Sequence, residues 1–154
     1  MAERVYTHTT KGCFGCGEDN TYGLGLRPYK DEAGLMAEFV AQPHHQGFAR
    51  VAHGGIVAAV LDEIVTTAVA VASESLVATR SLDIRYFSPL RLGRRHVVRG
   101  RLAKGDAALL EGEGEIVDEE TGARIASARG TFVILTPERA ARFRELKDET
   151  EDKR

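Results

Sequence analysis

Residues 51–67 read VAHGGIVAAVLDEIVTT. From Gly54 or Gly55 to about Ser73 the chain carries Ala, Val, Leu and Ile on every side, with no proline and no internal glycine. That is room for about five turns at about 3.6 residues each. Ile56, Val57, Val60, Ile64, Val65, Val69 and Val71 are β-branched and would also suit strands. The segment is too long for an ordinary strand, so it reads as a helix buried on most of its circumference. Yet Asp62 and Glu63 stand side by side in its middle. An ionised carboxylate removed from water without a partner costs several kcal/mol, so each acid needs a partner or a purpose.

Upstream, residues 1–34 hold Gly12, Gly15, Gly17, Gly23, Gly25 and Pro28 with no regular apolar period, which predicts a loop-rich lead-in. Leu35 to Ala41 reads as a strand with Leu35, Ala37 and Phe39 on one face, ended by Pro43. Downstream the period changes to two. Thr79 to Phe87 places Leu82, Ile84 and Tyr86 on one face, and Arg95 to Ala103, Ala107 to Val117 and Arg124 to Leu135 follow as strands. Connections of hairpin length, Lys104 to Asp106 and Asp118 to Gly122, make these last neighbours antiparallel. Thr136-Pro137 caps a polar tail, residues 136–154, in which Ala140, Phe143 and Leu146 form the weak stripe of a short surface helix. The order is strand, long helix, four strands. A helix apolar all round must be enclosed, and an antiparallel sheet wrapped around it does so: an α+β architecture in a single domain, 1–154. Sheet edges left open invite a second copy, so a homodimer is expected.

The chain has 154 residues, 43% hydrophobic and 29% charged, the balance of an ordinary globular protein. With 21 Lys and Arg against 23 Asp and Glu, it lacks the basic excess of a nucleic-acid binder. The acids and threonines inside Ile56–Ala72 argue against a membrane span, which needs about 20 largely uncharged residues. MAERVYTHTT has no signal-peptide core, so a cytoplasmic location is expected. Both cysteines lie in Cys13-Phe14-Gly15-Cys16. A structural zinc site usually takes four ligands, no second CxxC completes one, and His8, His44, His45 and His53 stand at odd separations. A redox pair would want a strand-to-helix junction where this sequence predicts turns. No metal and no cofactor are expected.

Three stretches carry a resemblance to a known family: His53-Gly54-Gly55 followed by Asp62 on an apolar helix, the strand end YFSPLRLG (86–93), and the lead-in CFGCGEDNTYGLGL (13–26). Together they resemble the hotdog-fold acyl-CoA thioesterases, particularly the phenylacetyl-CoA thioesterase-like branch. The resemblance implies the hotdog fold, an acyl-CoA substrate, and a dimer or dimer of dimers. It implies Asp62 as general base or nucleophile, the Gly54 N–H as oxyanion donor, and a Ser or Thr of the partner subunit, matched to Thr79, holding the acid or water. Some relatives have Asn or Gln six residues before the His, where this chain has Gly47; Gln46 beside it is a candidate for that role.

The residues themselves suit that chemistry. A thiolate leaves readily because a thiol has a pKa near about 8.5, so what remains is to activate water and stabilise an oxyanion. A helix start offers unpaired N–H groups and the positive end of the dipole, and Gly54 and Gly55 let a bulky thioester approach the backbone. Asp62 lies two turns on, roughly 12 Å by helical rise, too far for one site in one chain unless a symmetry mate supplies the donor. Thr79 poses a difficulty, since alternation turns it away from the helix with Ser81 and Asp83 unless a bulge intervenes. Glu63, about 100° round the helix from Asp62, is read as a salt-bridge or second-layer residue. His53 either orients substrate or caps the helix. Arg91, Arg94 and Arg95 either meet coenzyme A phosphates or form a solvated basic loop. A non-catalytic acyl-CoA sensor is the alternative function, and an acyl-thioester dehydratase a third.

Overall fold

The computed structural model describes residue 5 and residues 11–142. Six strands form one antiparallel sheet: β1 (Tyr29–Asp31), β2 (Gly34–Val40), β3 (Val77–Tyr86), β4 (Arg95–Gly105), β5 (Leu109–Asp118) and β6 (Arg124–Ile134). Their order across the sheet is β1-β2-β4-β5-β6-β3, and one long helix, α1 (Gly54–Ser73), packs against strands β2 to β6. This is the hotdog arrangement.

The helix sits deep because the sheet makes room for it. Val57, Val60, Leu61, Ile64, Val65, Ala68 and Val69 are buried against Leu35, Ala37 and Phe39 of β2, Val98 of β4, Leu110 and Ile116 of β5, and Phe132 of β6. Each of the Val, Leu, Ile and Phe side chains contributes about 1.5–3 kcal/mol when fully buried. Gly100 and Gly112 are the close approaches: a Cβ on Gly100 would press on the Ile64 carbonyl, and one on Gly112 on the Val65 and Val69 methyls. The opposite face of the sheet is charged, with ion pairs Arg101–Glu113, Arg129–Glu113 and Arg124–Glu115.

Burial of α1 is less complete than its composition suggests. Gly54, Ala58, Asp62 and Thr66 recur every fourth residue, so they share one face, and all four are half-buried or exposed. The helix ends at Glu74, in a left-handed conformation with its N–H on the carbonyls of Ala70 and Val71.

Two expected boundaries change. The lead-in is not all loop: β1 pairs with β2 inside it, and Leu24 and Leu26 are buried in the core. Isolated glycines and a single proline obscured a strand of only three residues. The third strand begins at Val77, two residues before Thr79. Residues 137–142 are helical and Ala140 is buried, while Phe143 and Leu146 lie outside the described residues.

Candidate active site

The helix start is held by a small web of backbone pairing. Gln46 pairs with Ala52 and Val51 with Arg91. Ala52 N–H donates to Leu90 O (2.8 Å), and His53 N–H to the carbonyl of buried His45 (2.8 Å). The β3–β4 connection thus crosses to the segment before α1 and fixes where the helix begins. His53 is its N-cap, with Nδ1 accepting the Gly55 N–H at 2.9 Å. The N–H groups of Ile56 (2.9 Å) and Val57 (3.3 Å) both donate to the His53 carbonyl. Among the described residues no acceptor takes the Gly54 N–H, which lies at the positive end of the helix dipole.

His53 is therefore a cap, and a neutral ring accepting at Nδ1 carries its proton on exposed Nε2. The Gly55 backbone donor is taken up by that ring. Nothing in the chain's own packing demands glycine at 54, because a Cβ there would find only Tyr86 at 3.8 Å, an ordinary contact. Gly47 is different: a Cβ would lie 2.9 Å from His53 Cα, so any side chain there would require the backbone to shift. Gln46 is exposed and its Oε1 accepts from Arg50 N at 3.4 Å.

Two turns along, Asp62 is half-buried and engaged by hydroxyls. Thr79 Oγ1 donates to Asp62 Oδ1 at 2.8 Å, Thr66 Oγ1 lies 3.4 Å from the same oxygen, and the two hydroxyls are 3.1 Å apart. Among the described residues no hydrogen bond or ion pair reaches Asp62 Oδ2, and no arginine pairs with this acid. The parity problem resolves through a bulge. Thr79 pairs with Phe132 and Ser81 with Thr131, so Arg80 is the extra residue and Thr79 turns to the helix face with Leu82 and Ile84. Thr79 reaches Asp62 within one chain, where the resemblance implied a partner's residue.

The other expected residues are divided between two ends of the fold. Arg94 pairs with Asp118 (3.6 Å) and Glu120, and Arg95 with Glu119 (3.6 Å) and Glu38 (3.8 Å). Backbone N–H bonds from Thr121, then its hydroxyl and Arg94, hold Asp118 below the usual carboxylate range. Arg91 is exposed beside the helix start and forms no ion pair among the described residues. Glu63 faces the N-terminal segment: Cys13, Cys16 and Glu63 place their ligand atoms within 4.8 Å of one another. Hydrogen bonding to Cys13, then burial and Glu63, pushes the Cys16 thiol far up, and a protonated thiol is a poor nucleophile. His8 lies outside the described residues.

Two participants were missed. Thr66 sits four residues after Asp62, a spacing that places their side chains together and was open to inspection. Tyr86 Oη donates to the Gly54 carbonyl at 3.0 Å, across 32 residues of sequence, and no local pattern announces such a contact. A cavity of about 350 Å³ on the charged outer face, lined by Arg99, Arg101, Glu113 and Arg129, includes neither Asp62 nor Gly54.

The solved structures similar to this one share its fold. Zebra fish thioesterase superfamily member 2 is 18% identical, with 75% of this chain and 89% of that one covered at a TM-score of 0.67. A phenylacetic acid degradation-related protein from Ralstonia eutropha JMP134 is 21% identical, with 72% and 86% covered at 0.64. A protein from Streptococcus mutans UA159, solved bound to acetyl CoA, is 16% identical, with 71% and 88% covered at 0.65. Among curated proteins none matches. Residues 49–125, half of the 154, match the model of the Thioesterase superfamily and take in the His-Gly-Gly turn, the whole of α1 and the bulged strand that brings Thr79 to Asp62; the chain belongs to that superfamily.

Proposed function

We propose that the protein hydrolyses an acyl- or aryl-CoA thioester to the free acid and coenzyme A, with Asp62 as its base. The observation that carries this reading is the Thr79–Asp62–Thr66 cluster: a half-buried carboxylate held at one oxygen by hydroxyls, with no cation against it among the described residues. A structural acid on an apolar helix would be expected to meet an arginine. The open strip Gly54, Ala58, Asp62 and Thr66 supports it, because small side chains leave room for an extended thioester.

In this reading Asp62 takes a proton from water as the water oxygen attacks the thioester carbon. The carbonyl π electrons move to oxygen, where a Gly54 N–H stabilises the charge. Collapse breaks the C–S bond; the sulfur leaves with the electron pair and takes up the proton. Gly54 and Asp62 lie eight residues apart, about 12 Å of helical rise. The donor and the acid of one site are therefore assigned to different copies of the chain in a homodimer or a dimer of dimers, with β3 a sheet edge available for docking. Arg91 is the arginine left for the coenzyme A phosphates. The acetyl CoA bound by the Streptococcus mutans protein supports this substrate class.

Thiol release from a panel of acyl- and phenylacetyl-CoA esters tests the reading. Turnover of at least one ester, lost in Asp62→Asn with an unchanged melting temperature, is the expected result. Thermal stabilisation by the same esters with no thiol released would overturn hydrolysis and leave a sensor.

A further inference from the structure

We propose that Cys13, Cys16 and Glu63 bind one Zn²⁺ per chain, in a site that ties the N-terminal segment to the middle of the central helix. The sulfurs and a carboxylate oxygen lie within 4.8 Å of one another. Tetrahedral zinc, with Zn–S near 2.3 Å and Zn–O near 2.0 Å, wants its ligands about 3.5–3.8 Å apart. The ligand atoms therefore have at most about 1 Å to close.

The backbone that carries the cysteines is already built as a rigid turn. Gly17 N–H donates to Cys13 O (2.9 Å), Asp19 N–H to Lys11 O (3.0 Å), and Arg27 Nη1 to Cys16 O (2.9 Å). Leu24 and Leu26, buried in the core, donate their N–H groups to Phe14 O (2.7 Å) and Gly15 O (2.9 Å). A Cβ on Gly15 would collide with the Glu63 carboxylate, and one on Gly17 with the Cys13 carbonyl. Backbone therefore requires glycine at 17, while a side chain at 15 would push the Glu63 carboxylate out of its place beside the thiols.

Two thiolates with one carboxylate suit a borderline-soft divalent ion and exclude magnesium and calcium, which take all-oxygen sets. Binding displaces the two thiol protons to solvent, and water completes the fourth position. The site lies about 100° round α1 from the Asp62 cluster, and this inference stands independently of thioester hydrolysis.

The test is metal binding by the full chain, stripped by chelator and kept reduced. Zn²⁺ is titrated against a chromophoric chelator, and Co²⁺ is used as a spectroscopic probe. One equivalent of zinc is expected, with thiolate-to-cobalt charge-transfer bands and the intense visible bands of a tetrahedral ion. Cys13→Ser and Cys16→Ser should each lower zinc affinity on the order of 100-fold or more, and Glu63→Gln about 10- to 100-fold. Glu63→Gln should also shift the visible cobalt bands while keeping the thiolate bands, a readout that survives if a cysteine variant fails to fold. Substoichiometric zinc, unchanged affinity in the cysteine variants, or a Glu63→Gln spectrum identical to the parent would overturn the site. So would cysteines that zinc does not protect from a thiol-alkylating reagent.

Discussion

Asp62 and Glu63 are adjacent on one helix, yet about 100° of rotation gives them different partners. Asp62 meets the hydroxyls of Thr66 and Thr79 on the side where α1 stays open. Glu63 meets the two thiols of the N-terminal turn. Hydroxyls orient a carboxylate while leaving it able to take a proton, whereas a cage of soft ligands suits a cation. The same functional group is thus given two surroundings by what faces it, and residue type alone separates neither.

The sharpest way to break that contrast is to neutralise each acid in turn. Asp62→Asn is expected to lower kcat by about 10²–10⁴-fold, the usual range for a general base, with no loss of melting temperature. Glu63→Gln should keep kcat within about tenfold. A reversed order in steady-state thiol release would exchange their roles.

The next effect concerns the helix start. Gly54 is the first helical residue, where proline is tolerated, and His53 at φ −60°, ψ 141° already has the extended conformation that precedes proline. Gly54→Pro therefore removes the N–H with the helix intact, and kcat should fall about 10²–10³-fold. If donor and acid come from different copies, mixing Gly54→Pro with Asp62→Asn protein restores about a quarter of parent activity, since half the random dimers carry one complete site. No recovery on mixing, in protein shown to exchange subunits, would confine the site to one chain.

Smaller effects grade the hydroxyls. Thr79→Ala, losing a bond of 2.8 Å to the carboxylate, is expected to cost about tenfold in kcat, and Thr66→Ala less, its contact being 3.4 Å. Equal losses would show that Thr66 matters through Thr79. Tyr86→Phe should cost only a few-fold, by loosening the Gly54 carbonyl.

Stability should follow a different group from activity. His96 is fully buried, neither ring nitrogen makes a well-formed hydrogen bond among the described residues, and burial above all lowers its pKa, against the opposing pull of Asp118 and of the Arg94 and Phe39 backbone. His45 is lowered in the same sense, by burial and then the charge of His44. Unfolded histidine takes up a proton near pH 6.5 and the folded rings do so only lower, so stability is level above about pH 7 and falls as pH drops below about 6.5. Melting temperatures from pH 8 to 5 should show this, and His96→Leu should flatten part of the slope.

Much of the architecture was readable because it depends on periodicity. A run apolar at every helical angle, followed by segments alternating at period two, leaves few arrangements other than a sheet around a helix, and the family motifs lie at its turns. β1 was not readable, being three residues long among glycines. The bulge at Arg80 was not readable either, for it depends on how β3 and β6 register across some fifty residues. Arg94 and Arg95 looked equivalent to Arg91 until the turn after β5 supplied Asp118, Glu119 and Glu120 as their partners.

By itself the sequence determined the helix, the five longer strands, the candidate acid and the amide-rich tip, because propensity, hydrophobic period and the conformational freedom of glycine act over a few residues. Tertiary structure alone decided what each acid faces, through the bulge that turns Thr79 inward and the buried leucines that lay the cysteine turn on Glu63. Those contacts are made between segments far apart in the chain, and their geometry is set by register and packing, which no local pattern encodes.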